Sequence, residues 1–522
     1  MNAFRLGMDP LTPEALWTLA ELQSPLCVLE SPVLDRLVQG RRALDEELEA
    51  DQAVYGANTA YGGDAVGVLS AHERAGLQLH LARYLDAGVG PPLPPRACRA
   101  AVIARAHVLA QGASAVSPQA VTALVRLIGA QVAPVLLSSG SLGASGDLVS
   151  MAPLARLLAG EDVPAWQGES RVSGPEALSA AGVEPLELVG RDALALVNGL
   201  SGAASCAALS WTEADRLLRW ALVGVAATGW ALGVRAEAWS EVMNGPPLRR
   251  HPGQEEVARL LRGRLRGSEP IAPPASGPLQ DPYSLRCAPQ LLGPVREGHE
   301  VAGRWLFQEL DGVSDNPIWV SDDTPWWRDF RADAPEVDAP GEGSHPSPFL
   351  SGGNFFGGYV AAAADLVSAG LARVGDLLDR QGFLLVAGDR GLPRNLATPG
   401  VPGSHGLKGV HQTATALAME LQRGALPSAP FARSAEGHNQ DVVSNAMAAA
   451  TALGRQVGAA AALVSAHTLM AARAVELRSN VGDGFGAWLD QVRDAMGGVS
   501  GDKGYSAALA GLAHHIRRCP PP

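Results

Sequence analysis

The chain has 522 residues, 47% hydrophobic and 18% charged, which excludes a disordered protein and leaves room for a large core. A net charge of −12 argues against a nucleic-acid partner, because phosphate contacts need clustered Lys and Arg. Five scattered cysteines with no CxxC pair exclude a disulfide framework and a cysteine-based zinc site, and they point to a reducing, cytoplasmic setting.

The first stretch, MNAFRLGMDPLTPEAL, lacks a basic region followed by an apolar one, so no secretory signal is expected. Up to about residue 200, short helical patterns alternate with Gly- and Pro-rich turns. VYGANTAYGGDA (54–65) and LQLHLARYLDAGVG (77–90) fall in this part. A Ser-Pro start predicts a helix over 117–137, which leads into GSLGASGDL (140–148). LALVNGL follows at 194–200.

Beyond 202 the pattern changes. The segments 202–243, 357–380 and 441–479 are apolar, rich in Ala and Gly and nearly free of proline, which predicts a bundle of long, closely packed helices. The most apolar window, WALVGVAATGWALGV (220–234), falls short of the roughly 20 residues of a membrane span and reads as a buried core helix. Loops are expected at 244–254, 268–283, 321–353 and 392–406. The longest irregular stretch is 321–349, with Trp326 and Trp327. QDPYSLRCAPQ (280–290), DNPIWV (315–320), SGGNFF (351–356) and AEGHNQDVVS (435–444) stand among these elements. The expected fold is mainly α: an N-terminal mixed, loop-rich domain over 1–201, a long-helix bundle over 202–480, and a small helical cap over 481–522.

The run GSLGASGDL admits four readings. As a plain turn, Ser145 or Asp147 would cap the helix that follows. As a phosphate cradle it has the wrong spacing, with neither GxGxxG nor a following Lys-Ser/Thr. As a nucleophile elbow it fails because Asp147 occupies the last glycine position of GxSxG. The fourth reading is chemical. The backbone nitrogen of Gly146 attacks the carbonyl carbon of Ala144, and loss of water and of the Ser145 hydroxyl leaves an exocyclic methylene. The product is 4-methylidene-imidazol-5-one (MIO), an electrophile made from the chain itself. Small residues on both sides permit such a fold-back.

The seven blocks at 54, 140, 194, 280, 315, 351 and 435 occur in an order that resembles the aromatic amino acid ammonia-lyases, which comprise the histidine, phenylalanine and tyrosine enzymes and related aminomutases. The resemblance spans residues 50 to 450. It implies MIO formed from Ala144, Ser145 and Gly146, with no metal and no pyridoxal phosphate. It implies a homotetramer with shared active sites, and elimination of ammonia from an aromatic L-amino acid to give the trans-arylacrylate. Tyr55 matches the family's base, and that role needs a phenol pKa depressed from about 10. Tyr283 matches the second catalytic tyrosine, Arg286 the carboxylate partner, Asn316 a further carboxylate contact, and Asn198 the residue that hydrogen-bonds the prosthetic ring. Gln280, Phe355 and Gln440 match pocket-lining positions. The chain departs from the family's TGFG with TAYGG, so that Ala60 and Tyr61 replace a glycine and a phenylalanine in the loop carrying the base. A tightened loop there keeps an aminomutase as an alternative.

Substrate choice in the family follows a residue pair that here is Tyr84-Leu85. Histidine enzymes have Ser-His there, tyrosine enzymes His-Leu and phenylalanine enzymes Phe-Leu. Leu85 and Gln440 favour phenylalanine or tyrosine over histidine, with histidine ammonia-lyase as the alternative. Other classes are weaker. A pyridoxal phosphate enzyme needs a lysine, and only Lys408 and Lys503 exist. A metalloenzyme finds no HExxH among the twelve histidines, the nearest cluster being His405 and His411. A non-catalytic helical scaffold would leave Ser145 unmodified.

Overall fold

Long helices dominate the chain, described by a computed structural model over residues 3–74, 76–268, 271, 279–320, 347–478, 484–496 and 504–522. The expected loop tip 321–346, with Trp326 and Trp327, and residues 272–278 lie outside the described residues. Four helices are long: Ser201–Ala231, Ala288–Asp311, Gly358–Val386 and Ala446–Glu476. Ala288–Asp311 is absent from the sequence reading, because Pro294 inside it looks like a breaker. The helix expected over 202–243 stops early. Gly233 takes φ +65°, its N–H bonds Trp230 O at 3.1 Å, and Val234 N–H bonds Gly229 O at 2.9 Å. That pair of bonds closes a Schellman motif.

The chain divides into two compact units, each discontinuous in sequence: residues 1–209, 304–362 and 428–451, and residues 210–303, 363–427 and 452–522. This differs from the three consecutive segments expected. Four of the five unit boundaries fall inside uninterrupted helices, and the fifth lies in the link after Lys408–Gly424, at Pro427. The terminal helices Gly486–Met496 and Ser506–Arg518 belong to the second unit rather than forming a separate cap.

In the first unit, every residue of Pro95–Ala110 from Ala97 onward is buried, Arg105 included. This helix packs on Pro13–Glu21 and Pro118–Gly129. Pro118–Gly129 is capped by the Ser117 hydroxyl, which accepts from Ala120 N–H at 3.4 Å. It ends eight residues before the expected limit. Gln131 turns at φ +55°, and Val132–Pro134 then pairs as a strand with Ala165–Gln167. The strand Leu137–Ser139, paired antiparallel with Val89–Pro92, delivers the chain into Gly140, and the helix Leu148–Leu158 carries it away. The glycine run is therefore a strand-to-helix link with both ends anchored.

The second unit buries Trp220, Trp239, Phe485 and Trp488, with Phe485 edge-on to Trp488 at 6.2 Å between ring centroids. By length and composition alone, Ala446–Glu476 is the one described helix that could cross a membrane. Within the structure 61% of its apolar window is buried, as for a core helix.

Candidate active site

The glycine run is built around two backbone positions that exclude side chains. Gly143 has φ +65°, and a Cβ there would stand 2.3 Å from Ser444 Oγ. Gly146 has φ +74°, and its Cβ would stand 2.0 Å from Gly199 O. Ser444 Oγ donates to Gly143 O at 2.8 Å, and Asp147 N–H donates to Gly199 O at 2.7 Å. These bonds press the run against the VNG block and the block at 435–444.

The capping reading of this run is corrected. Asp147 occupies the N-cap position of Leu148–Leu158, yet its side chain makes no bond to that helix. Its carboxylate accepts instead from Ala203 N–H at 2.7 Å, in the first turn of Ser201–Ala231, and from the Ser141 hydroxyl at 3.3 Å. Burial pushes the Asp147 carboxyl up to about 6, against the N–H of Ala203 and the Ser141 hydroxyl, which hold it down. Ser145 is not a cap either. Its hydroxyl accepts from Gln440 Nε2 at 3.3 Å and faces a cavity of about 360 Å³.

That cavity gathers Tyr55, Tyr84, Ala144, Ser145, Asn198, Asn316, Phe355 and Gln440, all in the first unit. Gly146 packs on Gly199 and does not line it. Leu85 does not line it either. Its side chain is buried in the core, and Leu81, one turn earlier, faces the cavity in its place. Of the pair read as the selectivity element, Tyr84 thus lines the cavity and Leu85 packs in the core beside it.

Tyr55 Oη accepts from Gly62 N–H at 2.8 Å, and its ring stands edge-on to Tyr61 at 6.5 Å. The depressed pKa that a base requires is not present in the chain by itself. Burial raises the Tyr55 phenol and Glu436 adds to the rise, while the Gly62 N–H and Arg191 oppose it.

The floor of the cavity is a committed polar network. Asn198 Nδ2 donates to Asp315 Oδ1 at 3.0 Å and to Asn316 O at 2.9 Å, and Asn316 Oδ1 accepts from Gly352 N–H at 2.8 Å. Behind them Arg105, Asp315 and Arg191 have fully buried side chains. Asp315 pairs with Arg191 at 3.1 Å and Arg105 at 3.5 Å, and Arg105 Nη1 donates to Asn198 O at 2.6 Å. Two guanidiniums against one carboxylate leave an excess of positive charge in this network. Burial pulls the Arg105 pKa down to about 10, with Asp315 opposing.

Three functional side chains escaped the sequence reading. Gln78 is buried and bridges the Tyr55 loop to the helix Asp192–Val197. Its Nε2 donates to Gly56 O at 2.8 Å, and its Oε1 accepts from Ala193 N–H at 2.9 Å. Glu436 brings a carboxylate to the cavity, close enough that a Cβ on Gly62 would meet its Oε1. It stands in the block from which only Gln440 was taken. Arg105 had no signal at all, being one of three arginines in an alanine-rich helix.

Gln280, Tyr283 and Arg286 belong to the second unit and are not among the residues lining this cavity. Tyr283–Arg286 forms one helical turn whose carbonyls are held, Leu285 O by Trp239 Nε1 at 2.9 Å and Ser284 O by Gln381 Nε2 at 2.8 Å. Asp281 anchors its start by accepting from Arg235 N–H at 2.8 Å and pairing with Arg390 at 3.0 Å. Tyr283 is 69% exposed, with the Arg286 guanidinium stacked 4.5 Å from its ring centroid. Lys408 begins a helix of the second unit, Lys503 lies outside the described residues, and no lysine lines the cavity. Among the described residues no group of three or more His, Cys, Asp or Glu side chains could hold a metal ion.

The sequence pattern that defines the aromatic amino acid lyases matches residues 11–494. The chain belongs to the aromatic amino acid lyase family. It is a carbon–nitrogen lyase. Among its relatives, the tyrosine ammonia-lyase of Cereibacter sphaeroides is 33% identical over 512 residues, covering 94% of this chain and 93% of that protein. The histidine ammonia-lyase of Symbiobacterium thermophilum is 31% identical over 522 residues, covering 99% and 97%. The crystal structure of the tyrosine aminomutase from Streptomyces globisporus superposes with a TM-score of 0.88 at 26% identity, covering 99% of this chain and 97% of that one. Relatives named for different substrates and outcomes thus match this chain over nearly its whole length.

The residues present in this aromatic amino acid lyase fit an MIO group. Ala144 is small and buried, Gly146 has no room for a side chain, and Ser145 has its hydroxyl held by the single amide of Gln440.

Proposed function

We propose that this lyase eliminates ammonia from an aromatic L-amino acid, phenylalanine or tyrosine, and releases the trans-arylacrylate. The observation that carries the reading is the single cavity where Ser145, Tyr55, Asn198 and Tyr84 meet. Ala144, Ser145 and Gly146 form the MIO group, which supplies an electron sink that makes the amine a better leaving group. Tyr55 Oη takes the β-proton. Asn198, fixed from behind by Asp315 and Arg105, orients the prosthetic ring. Glu436 lines the same cavity and offers a carboxylate to the substrate ammonium.

Arg286 binds the substrate carboxylate with the planar fork of its guanidinium, and Tyr283 completes the machinery. In support, both lie on a rigidly held turn, and Tyr283 is largely exposed. We assign them to a neighbouring subunit's cavity in a homotetramer. An aminomutase outcome is the second reading. Gln78 and Gly62 pin the loop that carries Tyr55, and a closed loop favours re-addition of ammonia.

The test is ammonia release from L-phenylalanine, L-tyrosine and L-histidine, side by side on purified protein, with chromatography for β-amino acids. Release from phenylalanine or tyrosine supports the reading. Release mainly from histidine overturns the substrate assignment, and a dominant β-amino acid product makes the enzyme an aminomutase.

A further inference from the structure

Tyr61 lines the cavity beside Tyr84, and Gln78 decides what its hydroxyl can do. Gln78 Oε1 accepts from the N–H groups of Ala193 at 2.9 Å and Leu194 at 3.4 Å, which fixes the orientation of the amide. The other end, Nε2, donates to Gly56 O at 2.8 Å and to Tyr61 Oη at 3.1 Å. An amide NH2 only donates, so Tyr61 is the acceptor in that bond and its own O–H proton is left over. Among the described residues no acceptor takes it. Burial raises the Tyr61 phenol far above its usual value, so the group stays a neutral donor throughout the working pH range.

Tyr84 complements it. Its side chain is 59% exposed, and its hydroxyl has no hydrogen-bond partner among the described residues, so it can donate or accept. The nearby walls are apolar, with Leu81, Leu148 and Leu194. Alongside these leucines, and apart from the polar groups at Ser145, Asn198 and Glu436, the cavity therefore offers one committed donor and one versatile hydroxyl.

We propose that Tyr61 determines substrate specificity by donating its free O–H to a ring hydroxyl of the substrate, with Tyr84 accepting that hydroxyl's proton, so that the enzyme prefers 4-hydroxyphenyl amino acids of the L-tyrosine kind over L-phenylalanine. The inference rests on the cavity being the site of an aromatic amino acid. A phenol both accepts and donates, and so satisfies both tyrosines. A phenyl ring leaves the Tyr61 donor desolvated and unpaired, which is the stronger source of discrimination.

The experiment compares wild type with Tyr61→Phe in two ways. The first is kcat/KM for L-tyrosine, L-phenylalanine and L-histidine. The second is equilibrium binding of 4-hydroxycinnamate and cinnamate in ammonia-free buffer, which needs no turnover. Wild type should favour the hydroxylated member of each pair, and Tyr61→Phe should lower that preference about tenfold, the worth of one neutral hydrogen bond. An unchanged ratio, or an equal loss on both members, overturns the role of Tyr61. A preference that shifts only for histidine overturns the phenol assignment. If wild type releases no ammonia from any of the three while the product-binding ratio still responds to Tyr61→Phe, the proposed reaction fails and the specificity role stands.

Discussion

Asp147 caps a helix that is not its own: its carboxylate accepts from the N–H of Ala203 at 2.7 Å, in the first turn of Ser201–Ala231. Directly after the Ala-Ser-Gly tripeptide, this bond and the Asp147 N–H bond to Gly199 O tie the glycine run to the start of the long helix Ser201–Ala231. The carboxylate also gains from the positive end of that helix, since anions are stabilised there.

The raised Asp147 pKa gives a pH signature. A carboxyl whose folded value, about 6, lies above the unfolded one contributes stability that is full below about 4 and is lost as pH rises through about 6. Asp147→Asn removes that dependence. Urea midpoints of wild type and Asp147→Asn at pH 4 to 7 should diverge in favour of the variant as pH rises, by roughly 2–3 kcal/mol. Parallel curves would show that Asp147 titrates normally.

Ser145→Ala removes the hydroxyl whose loss would create the exocyclic methylene, so the Cβ that remains has nothing to eliminate. Wild-type chains should be lighter by two waters than the sequence mass and should absorb in the near ultraviolet. The variant should have its full mass, no such band, and activity lower by about a thousandfold or more. Intact mass spectrometry checks this directly, and a wild-type mass equal to the sequence mass would remove the prosthetic group.

With burial raising the Tyr55 phenol, only a small fraction is ionised at pH 7, and that fraction grows tenfold per pH unit below its pKa. Wild-type kcat/KM should therefore climb into the alkaline range with a slope near one. Tyr55→Phe should flatten the climb and reduce kcat by about 10²–10⁴. A profile already flat from pH 7 would mean that assembly or the MIO group depresses the phenol.

Asp315→Ala strands Arg105 and Arg191 with no buried carboxylate between them. Removing one member of a buried ion network costs about 3–5 kcal/mol. Denaturant unfolding should report that loss, and the variant should lose the Asn198 orientation along with it.

The sequence made the chemistry of this site easier to read than its support. Ser145, Tyr55, Asn198 and Gln440 were legible because seven short blocks preserve their order, and the structure brings those four together. Arg105 and Gln78 were not, because their roles arise from burial and from partners far along the chain: Arg105 reaches Ser314 O across 209 residues, and Gln78 reaches Ala193 N–H across 115. Long helices were predicted from unbroken apolar composition, whereas Ala288–Asp311 was hidden by Pro294.

The discontinuity of the first unit has a consequence for the order in which the protein matures. Ser145 is synthesised early, but its hydrogen-bond partner Gln440 lies 295 residues downstream, and Asn316 and Phe355 also emerge late. On the ribosome, the segment proposed to cyclise therefore waits without these walls until the chain passes residue 440. A truncated or stalled product that stops before residue 440 carries the Ala-Ser-Gly tripeptide without the walls around it, so such fragments should accumulate as uncyclised, inert chains rather than as partly active enzyme.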